Sequence, residues 1–275
     1  MKRIIALLLA MTLVLSFAAC SNQKNGENND DNNVNNEQNN DVNNDVNNDE
    51  NNNENEDDGV MTYAEYEAAA LDTEVVVEVY VQATQSWWDN KITVYAQDED
   101  GAYFLYNMAC TEEDAAKLVA GTKIRVTGFK GEWSGEVEIM DATFEFVEGA
   151  EKWVAEPTDM TELLASEELI KHQNKFVSFT GMTVVASKDK DGNEAPFLYA
   201  WDGSGSADSD SDLFFTVSIN GAEYTFVVEY YLCGPGSDAY EAVRNLEIGD
   251  VIDAEGFLYW YDGVQPHITK VTVQE

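Results

Sequence analysis

The chain has 275 residues, of which 53 are acidic and 15 are Lys or Arg, so its formal net charge at neutral pH is −38. So acidic a balance disfavours a basic groove that neutralises phosphates, and we therefore expect no nucleic-acid partner. The chain contains two histidines and three cysteines. It is therefore poor in the residues that build His-rich metal sites or disulfide-stapled frameworks.

The first twenty residues predict an exported protein. Lys2 and Arg3 precede an apolar run over residues 4–19, which is the pattern of a secretory signal peptide. A membrane-spanning helix is the alternative, but it needs about 20 apolar residues and flanking stop signals. This run is shorter and ends in small residues followed by polar ones.

The end of that run resembles the bacterial lipobox. Residues 17–20 read Phe-Ala-Ala-Cys, with Phe17 where leucine is commonest. The resemblance implies that a signal peptide over residues 1–19 is removed and that Cys20 is the lipid anchor. Two acyl chains hold a protein stably on a membrane, so the expected location is the extracellular face of the bacterial cell membrane, with the membrane itself as a partner.

Residues 20–60 comprise the predicted lipid cysteine and an Asn- and Asp-rich segment. Residues 21–60 contain 18 Asn, 12 acidic residues, one lysine and no aromatic residue. Such a segment has too little apolar surface to offset its ordering entropy. We predict a disordered tether that spaces the folded part away from the lipid.

An internal repeat divides the rest of the chain. Residues 121–129 align with residues 249–257 at a constant offset of 128, matching Gly, Ile, Gly and Phe. Two copies at this spacing indicate a duplicated domain rather than a solenoid. Pro157 marks the predicted boundary. The predicted organisation is domain 1 over residues 61–148, a linker over residues 149–158 and domain 2 over residues 159–275.

Each copy shows the period-two alternation of strands with one buried face. The pattern predicts three strands, one helix and two further strands per copy. In copy 1 the strands cover 75–82, 92–97, 102–108, 123–130 and 136–147, with a helix over 112–119. In copy 2 they cover 176–186, 197–201 with 213–219, 223–232, 251–261 and 265–273, with helices over 160–170 and 237–246.

This order is that of the OB-fold, a five-stranded Greek-key barrel. We predict an all-β protein with short helices, built as two tandem OB-fold-like five-stranded barrels; SH3-like barrels are the competing topology. The motif Gly-x-x-Ile-x-Val/Ala-x-Gly at residues 121–128 and 249–256 resembles OB-fold domains. Residues 61–275 also resemble uncharacterised OB-fold lipoproteins of clostridial bacteria.

Residues for catalysis are sparse. His172 and His267 have no recognisable nucleophile beside them in sequence, so we expect no catalytic residues, no cofactor, no metal and no enzyme activity. Cys110 and Cys233 sit at matching places in the two copies, which favours buried free thiols over a disulfide. A calcium-dependent module is a weaker alternative that rests on the acidic loops at 98–101, 189–194 and 208–212.

Aromatic residues supply the remaining candidate site. Trp87 and Trp88 follow the first strand, Trp133 lies where the fourth strand turns into the fifth, and Tyr80 and Tyr95 lie on the presumed polar faces of their strands. In an OB-fold this region borders the binding face. We predict a ligand-binding platform for a glycan or cell-envelope polymer. The alternative is a structural spacer or a partner in assembly with an envelope protein; the oligomeric state is left open.

The lipobox gives the first testable prediction. Metabolic labelling with a fatty-acid probe should mark the wild-type protein and leave the Cys20→Ala variant unlabelled, because the acceptor sulfur is gone. Cys110→Ala is the matched control and should label as wild type. Equal labelling of the wild-type and Cys20→Ala proteins would contradict the anchor.

Overall fold

The first barrel is a closed five-stranded sheet. The computed structural model describes residues 59–274, so the predicted signal peptide, Cys20 and all but the last two residues of the tether lie outside the described residues. The strand order around the barrel is β1-β2-β3-β5-β4. Its elements are α1 (Tyr63–Ala68), β1 (Glu74–Thr84), β2 (Lys91–Gln97), β3 (Ala102–Ala109), α2 (Glu112–Ala115), β4 (Lys123–Trp133) and β5 (Glu136–Phe146).

The second barrel repeats this order. Strands β11, β12, β14, β13 and β7 follow one another, and a pairing between β11 and β7 closes the ring. Its elements are β6 (Thr158–Asp159), β7 (Phe176–Val185), β8 (Ser187–Lys188), β9 (Glu194–Ala195), β10 (Leu198–Tyr199), β11 (Leu213–Ile219), β12 (Ala222–Val228), α3 (Asp238–Arg244), β13 (Val251–Phe257) and β14 (His267–Val273), with 3₁₀ helices at Thr161–Leu163 and Glu167–His172.

The fold class predicted from the sequence is confirmed. Each barrel has the 1-2-3-5-4 Greek-key order of an OB-fold, with a helix between its third and fourth strands and a parallel pairing between its third and fifth. Alternation explains the folding of β1, whose valines at 75, 77, 79 and 81 are all fully buried. Each barrel has its own apolar core.

The repeated glycines mark a close approach of two strands. Gly128 and Gly256 sit beside irregularities in the pairing of the fourth and fifth strands of their barrels. A Cβ on Gly128 would lie 2.6 Å from Cγ2 of Ile139, and one on Gly256 would overlap the carbonyl of His267. Only glycine fits without displacing backbone, which accounts for the same residue at the same place in both copies.

Several local predictions differ from the structure. The helix expected over residues 112–119 is α-helical only over 112–115, and the one expected over 160–170 consists of two 3₁₀ turns. Residues 197–201 do not form a single strand with 213–219; β10 is a separate two-residue strand that pairs with β11.

Among residues 59–274, every helix is too short or too polar to span a membrane.

The two barrels are joined by an apolar seam. Tyr95 and Phe104 of the first barrel are buried with Phe257 of the second as one cluster. The ring of Tyr95 stacks on that of Phe257 at 4.4 Å, and its hydroxyl lies 2.6 Å from Nδ1 of His267. Hydrogen bonds flank this cluster, including Phe176 N–H to the Gln97 side chain and Ser86 N–H to the Tyr231 carbonyl.

The glycine geometry predicts a stability effect. Gly256→Ala should lower the free energy of unfolding by about 1–3 kcal/mol, because the new methyl group meets the backbone of β14. Val273→Ala is the control and should change stability little, because Val273 is exposed at the end of β14. Chemical denaturation measures both. An unchanged denaturation midpoint for Gly256→Ala would contradict this prediction, because it would mean that β13 and β14 move apart at no cost in stability.

Candidate functional site

The face of the first barrel that would bind a ligand is covered. OB-folds bind through the surface of strands two and three together with the loops between strands one and two and between strands four and five. In this barrel those strands are β2 and β3, and Tyr95 and Phe104 on them pack against Phe257 and Tyr259. The prediction that Tyr95 lies on a ligand platform is therefore wrong, because the second barrel buries its ring completely.

Two more of the predicted platform residues have structural contacts. Trp87 packs against the first core, and its ring N–H donates to the carbonyl of Cys110 at 2.9 Å. Tyr80 is half-buried against the linker, with its ring 5.4 Å from that of Trp153 and Lys123 Nζ above it at 5.7 Å. These contacts account for both side chains without a ligand.

Trp88 and Trp133 are exposed, with 73% and 62% of their surfaces accessible. Trp88 borders a cleft of about 260 Å³ that also includes Asn107 of β3 and Tyr231 of the second barrel. Trp133 does not line that cleft, and within residues 59–274 no ring contact joins either tryptophan to another aromatic residue. The predicted platform is thus not one continuous surface.

The equivalent face of the second barrel forms an open cleft of about 510 Å³, which we call the Trp201 cleft. Phe214 of β11 and Val227 of β12 lie opposite each other in its floor. Trp201 comes from the loop between the first and second strands of this barrel, and Tyr259 and Tyr261 from the loop between the fourth and fifth. Every part of an OB-fold binding face therefore contributes.

Aromatic rings give this cleft an apolar rim. Trp201 is 76% exposed and Tyr261 is 48% exposed. Tyr259 stacks on His267 with ring centroids 4.1 Å apart, and that histidine is itself buried. Burial lowers the pKa of His267 to about 3, so its ring is neutral at physiological pH. The rim suits a ligand with an apolar face.

Two carboxylates stand beside those rings. Asp212 precedes β11 and Glu229 follows β12, and the pairing of Leu213 with Val228 places them opposite each other. The Asp212 carboxylate accepts from Tyr230 N–H at 2.8 Å, and that of Glu229 from Leu232 N–H at 2.6 Å. Burial, reinforced by Asp212, raises the pKa of Glu229 to about 7. Burial also raises that of Asp212.

No sequence pattern indicates this cleft. Trp201 ends the strand predicted over 197–201, Asp212 lies in the polar stretch that follows, and Glu229 lies in a later predicted strand. No local pattern joins these three residues. The aromatic stretch Tyr259-Trp260-Tyr261 was the available signal, since it occupies the place in the second copy that Trp133 occupies in the first, between strands four and five. In the second barrel this loop covers residues 258–266, whereas two residues separate β4 from β5 in the first barrel.

A buried polar cluster lies at the seam near the first barrel's last hairpin. One oxygen of Glu136 accepts from Trp260 N–H at 2.9 Å. The other oxygen, together with Oδ1 of Asn174 and the Tyr66 hydroxyl, has no hydrogen bond within the described residues. Burial raises the pKa of Glu136 to about 9. An ionised Glu136 carboxylate and the Asn174 amide oxygen are both acceptors and cannot bond to each other. A protonated Glu136 can donate a hydrogen bond.

The remaining candidates have ordinary structural roles. Asp98 and Asp189 accept hydrogen bonds from the backbone of their own turns, as Asp commonly does in tight turns. Within residues 59–274 no three His, Cys, Asp or Glu side chains group as metal ligands. Cys110 and Cys233 are free thiols, and burial raises the pKa of each to about 11.

Comparisons with known proteins return no family. No protein-family model matches the chain, and no curated protein matches it significantly. Among solved structures, a murine DNA-binding protein bound to double-stranded DNA is 12% identical with a TM-score of 0.35, covering 73% of this chain and 98% of that one. The HINa domain of Ifi202 in complex with double-stranded DNA is 11% identical with a TM-score of 0.32, covering 75% and 97%.

The expectation that the protein has no nucleic-acid partner is contradicted by these comparisons and is withdrawn. Three of the matched structures are complexes with double-stranded DNA. The expectation rested on net charge, which averages over the whole surface, whereas a nucleic acid contacts the side chains of one face. At TM-scores of 0.35 and 0.32 the likeness gives no ligand to this chain.

Glu136 predicts a pH dependence of stability. Its pKa is raised from 4.5 to about 9 on folding, so between those values the folded state binds more protons than the unfolded state. Stability therefore falls as pH rises through this interval. Glu136→Gln replaces the protonated carboxyl group by an amide, which also has a donor and an acceptor but does not titrate. This variant should flatten the fall in melting temperature between pH 5 and about 9.

Glu132→Gln is the matched control, since Glu132 is exposed on the same hairpin. It should leave the pH dependence as in the wild type. The same slope in wild type and Glu136→Gln would contradict a protonated Glu136 in the folded state.

Proposed function

We propose that the protein is a lipid-anchored surface module that binds a glycan or cell-envelope polymer through the Trp201 cleft. The lipobox-like residues before the tether support the location, as does the resemblance to clostridial OB-fold lipoproteins. The observation that carries the binding proposal is an open cleft on the one OB-fold face that the other barrel leaves uncovered.

The chemistry of the cleft supports a saccharide ligand. Sugar rings present C–H faces that stack on aromatic side chains, here Trp201 and Tyr261. Their hydroxyl groups need acceptors, which Asp212, Glu229 and the side chain of Gln265 supply within the same cleft. An apolar rim with a few polar groups at its base is the usual form of a small-molecule site.

The assembly of the cleft favours binding by a rigid surface. Tyr259 is held by stacking on His267, and Trp260 is held by its N–H bond to Glu136. The loop that carries Tyr259 and Tyr261 is therefore anchored at both the floor and the seam. A preformed site loses less conformational entropy on binding.

The test is a glycan and cell-wall screen with the detergent-solubilised full-length protein, followed by tryptophan variants. Trp201→Ala should weaken binding by about 1–3 kcal/mol, by analogy with stacking on nucleic-acid bases. Trp133→Ala is the matched control, because it removes another exposed indole, which lines neither cleft. Neither variant should change the melting temperature much.

Other outcomes are decisive too. Loss of binding in Trp88→Ala with Trp201→Ala unaffected would move the site to the first barrel. Binding of a double-stranded DNA oligonucleotide that Trp201→Ala abolishes, with no saccharide bound, would contradict a glycan as the ligand.

A further inference from the structure

The Trp201 cleft contains negative charge without a matching positive charge. Asp212 and Glu229 lie on its floor, and no Lys or Arg side chain lines it. Within residues 59–274 every Lys or Arg that forms an ion pair pairs with a carboxylate other than these two. The two carboxylates are instead bonded to backbone N–H groups.

The strand register directs both carboxylates to the same side. Leu213 and Val228 form a cross-strand pair and point into the core, so the next residues outward, Asp212 and Glu229, point away from it. Phe214 and Val227 form the following pair on that same outer face. The carboxylates and the apolar floor are therefore parts of one surface.

Such a pair is unfavourable when ionised and alone. Partial burial weakens the solvation of each charge, and each repels the other. The raised pKa values of Asp212 and Glu229 are consistent with this geometry. A cation bound in the cleft would relieve both effects. A ligand that carries this cation on a ring with an apolar face would also contact the indole of Trp201, which lines the same cleft.

We propose that the Trp201 cleft selects saccharides that carry protonated amino groups, with the ammonium on Asp212 and Glu229 and the sugar ring against Trp201 and Tyr261. This inference rests on the proposed function and names the ligand class of the same site. A neutral sugar could use the rings and accept or donate hydrogen bonds, but it would leave the two carboxylates without a counter-charge, which an ammonium group supplies.

A matched pair of probes tests the proposal. Glucosamine tetramer and N-acetylglucosamine tetramer have the same ring, linkage and length, and differ in charge at one position per ring. Titration calorimetry uses the detergent-solubilised full-length protein at about pH 7, where the Glu229 carboxyl group still carries negative charge. It should show a preference of about tenfold for glucosamine, since charge-assisted hydrogen bonds are the stronger kind. Rising salt should reduce that preference.

Three variants assign the preference to the cleft. Asp212→Asn and Glu229→Gln should each reduce it to about threefold or less, because each removes one charge while keeping the side-chain shape. Glu223→Gln is the matched control. It removes one exposed negative charge from β12 outside the cleft and should leave the preference as in the wild type. Thermal melts check that all three variants fold.

The failures are distinguishable. Equal affinity for the two tetramers, with both lost in Trp201→Ala, overturns the amino-sugar inference and supports the glycan function. An equal loss of preference in Glu223→Gln also overturns it, because general charge would then be the cause. If neither tetramer binds while the screen finds another glycan, only the inference fails; an empty screen contradicts the proposed function as well.

Discussion

Tyr95 is the residue on which the arrangement of the two barrels depends. Its hydroxyl lies 2.6 Å from Nδ1 of His267, and its ring stacks on Phe257. A buried hydroxyl requires a hydrogen-bond partner, and here the partner comes from the other barrel. This contact covers the binding face of the first barrel, and the equivalent face of the second remains open as the Trp201 cleft. Two copies of one fold have thus acquired different surfaces.

The same seam prepares the cleft. His267, which is hydrogen-bonded to Tyr95, also stacks on Tyr259 at the rim of the cleft. At the other end of the seam, Glu136 holds Trp260 by its backbone N–H. The loop between the last two strands of the second barrel is therefore fixed by residues of the first. The first barrel is the support that orients the binding loop of the second, which is how precise sites are commonly built.

The parts of the fold that were predictable are those governed by local pattern. The buried valines of β1 alternate with polar residues, and the repeated Gly-x-x-Ile motifs mark equivalent strands, so barrel topology followed from the sequence. Tyr95 was misplaced because β2 is buried on both faces. Its sequence alternates, but alternation within one strand does not show that a second domain will cover the outer face. Trp201 was missed because its position depends on how a long polar loop folds over β11 and β12.

The carboxylates of the cleft are hard to explain by folding alone. Ionised side chains that are partly buried without a cation destabilise the folded state, and an amide at position 212 or 229 could accept the same backbone hydrogen bonds. Glu136 is different, because it is fully enclosed and can satisfy its neighbours by staying protonated. Asp212 and Glu229 face open volume, where a ligand can reach them. A local cost at an accessible aromatic cleft is the usual mark of a binding site.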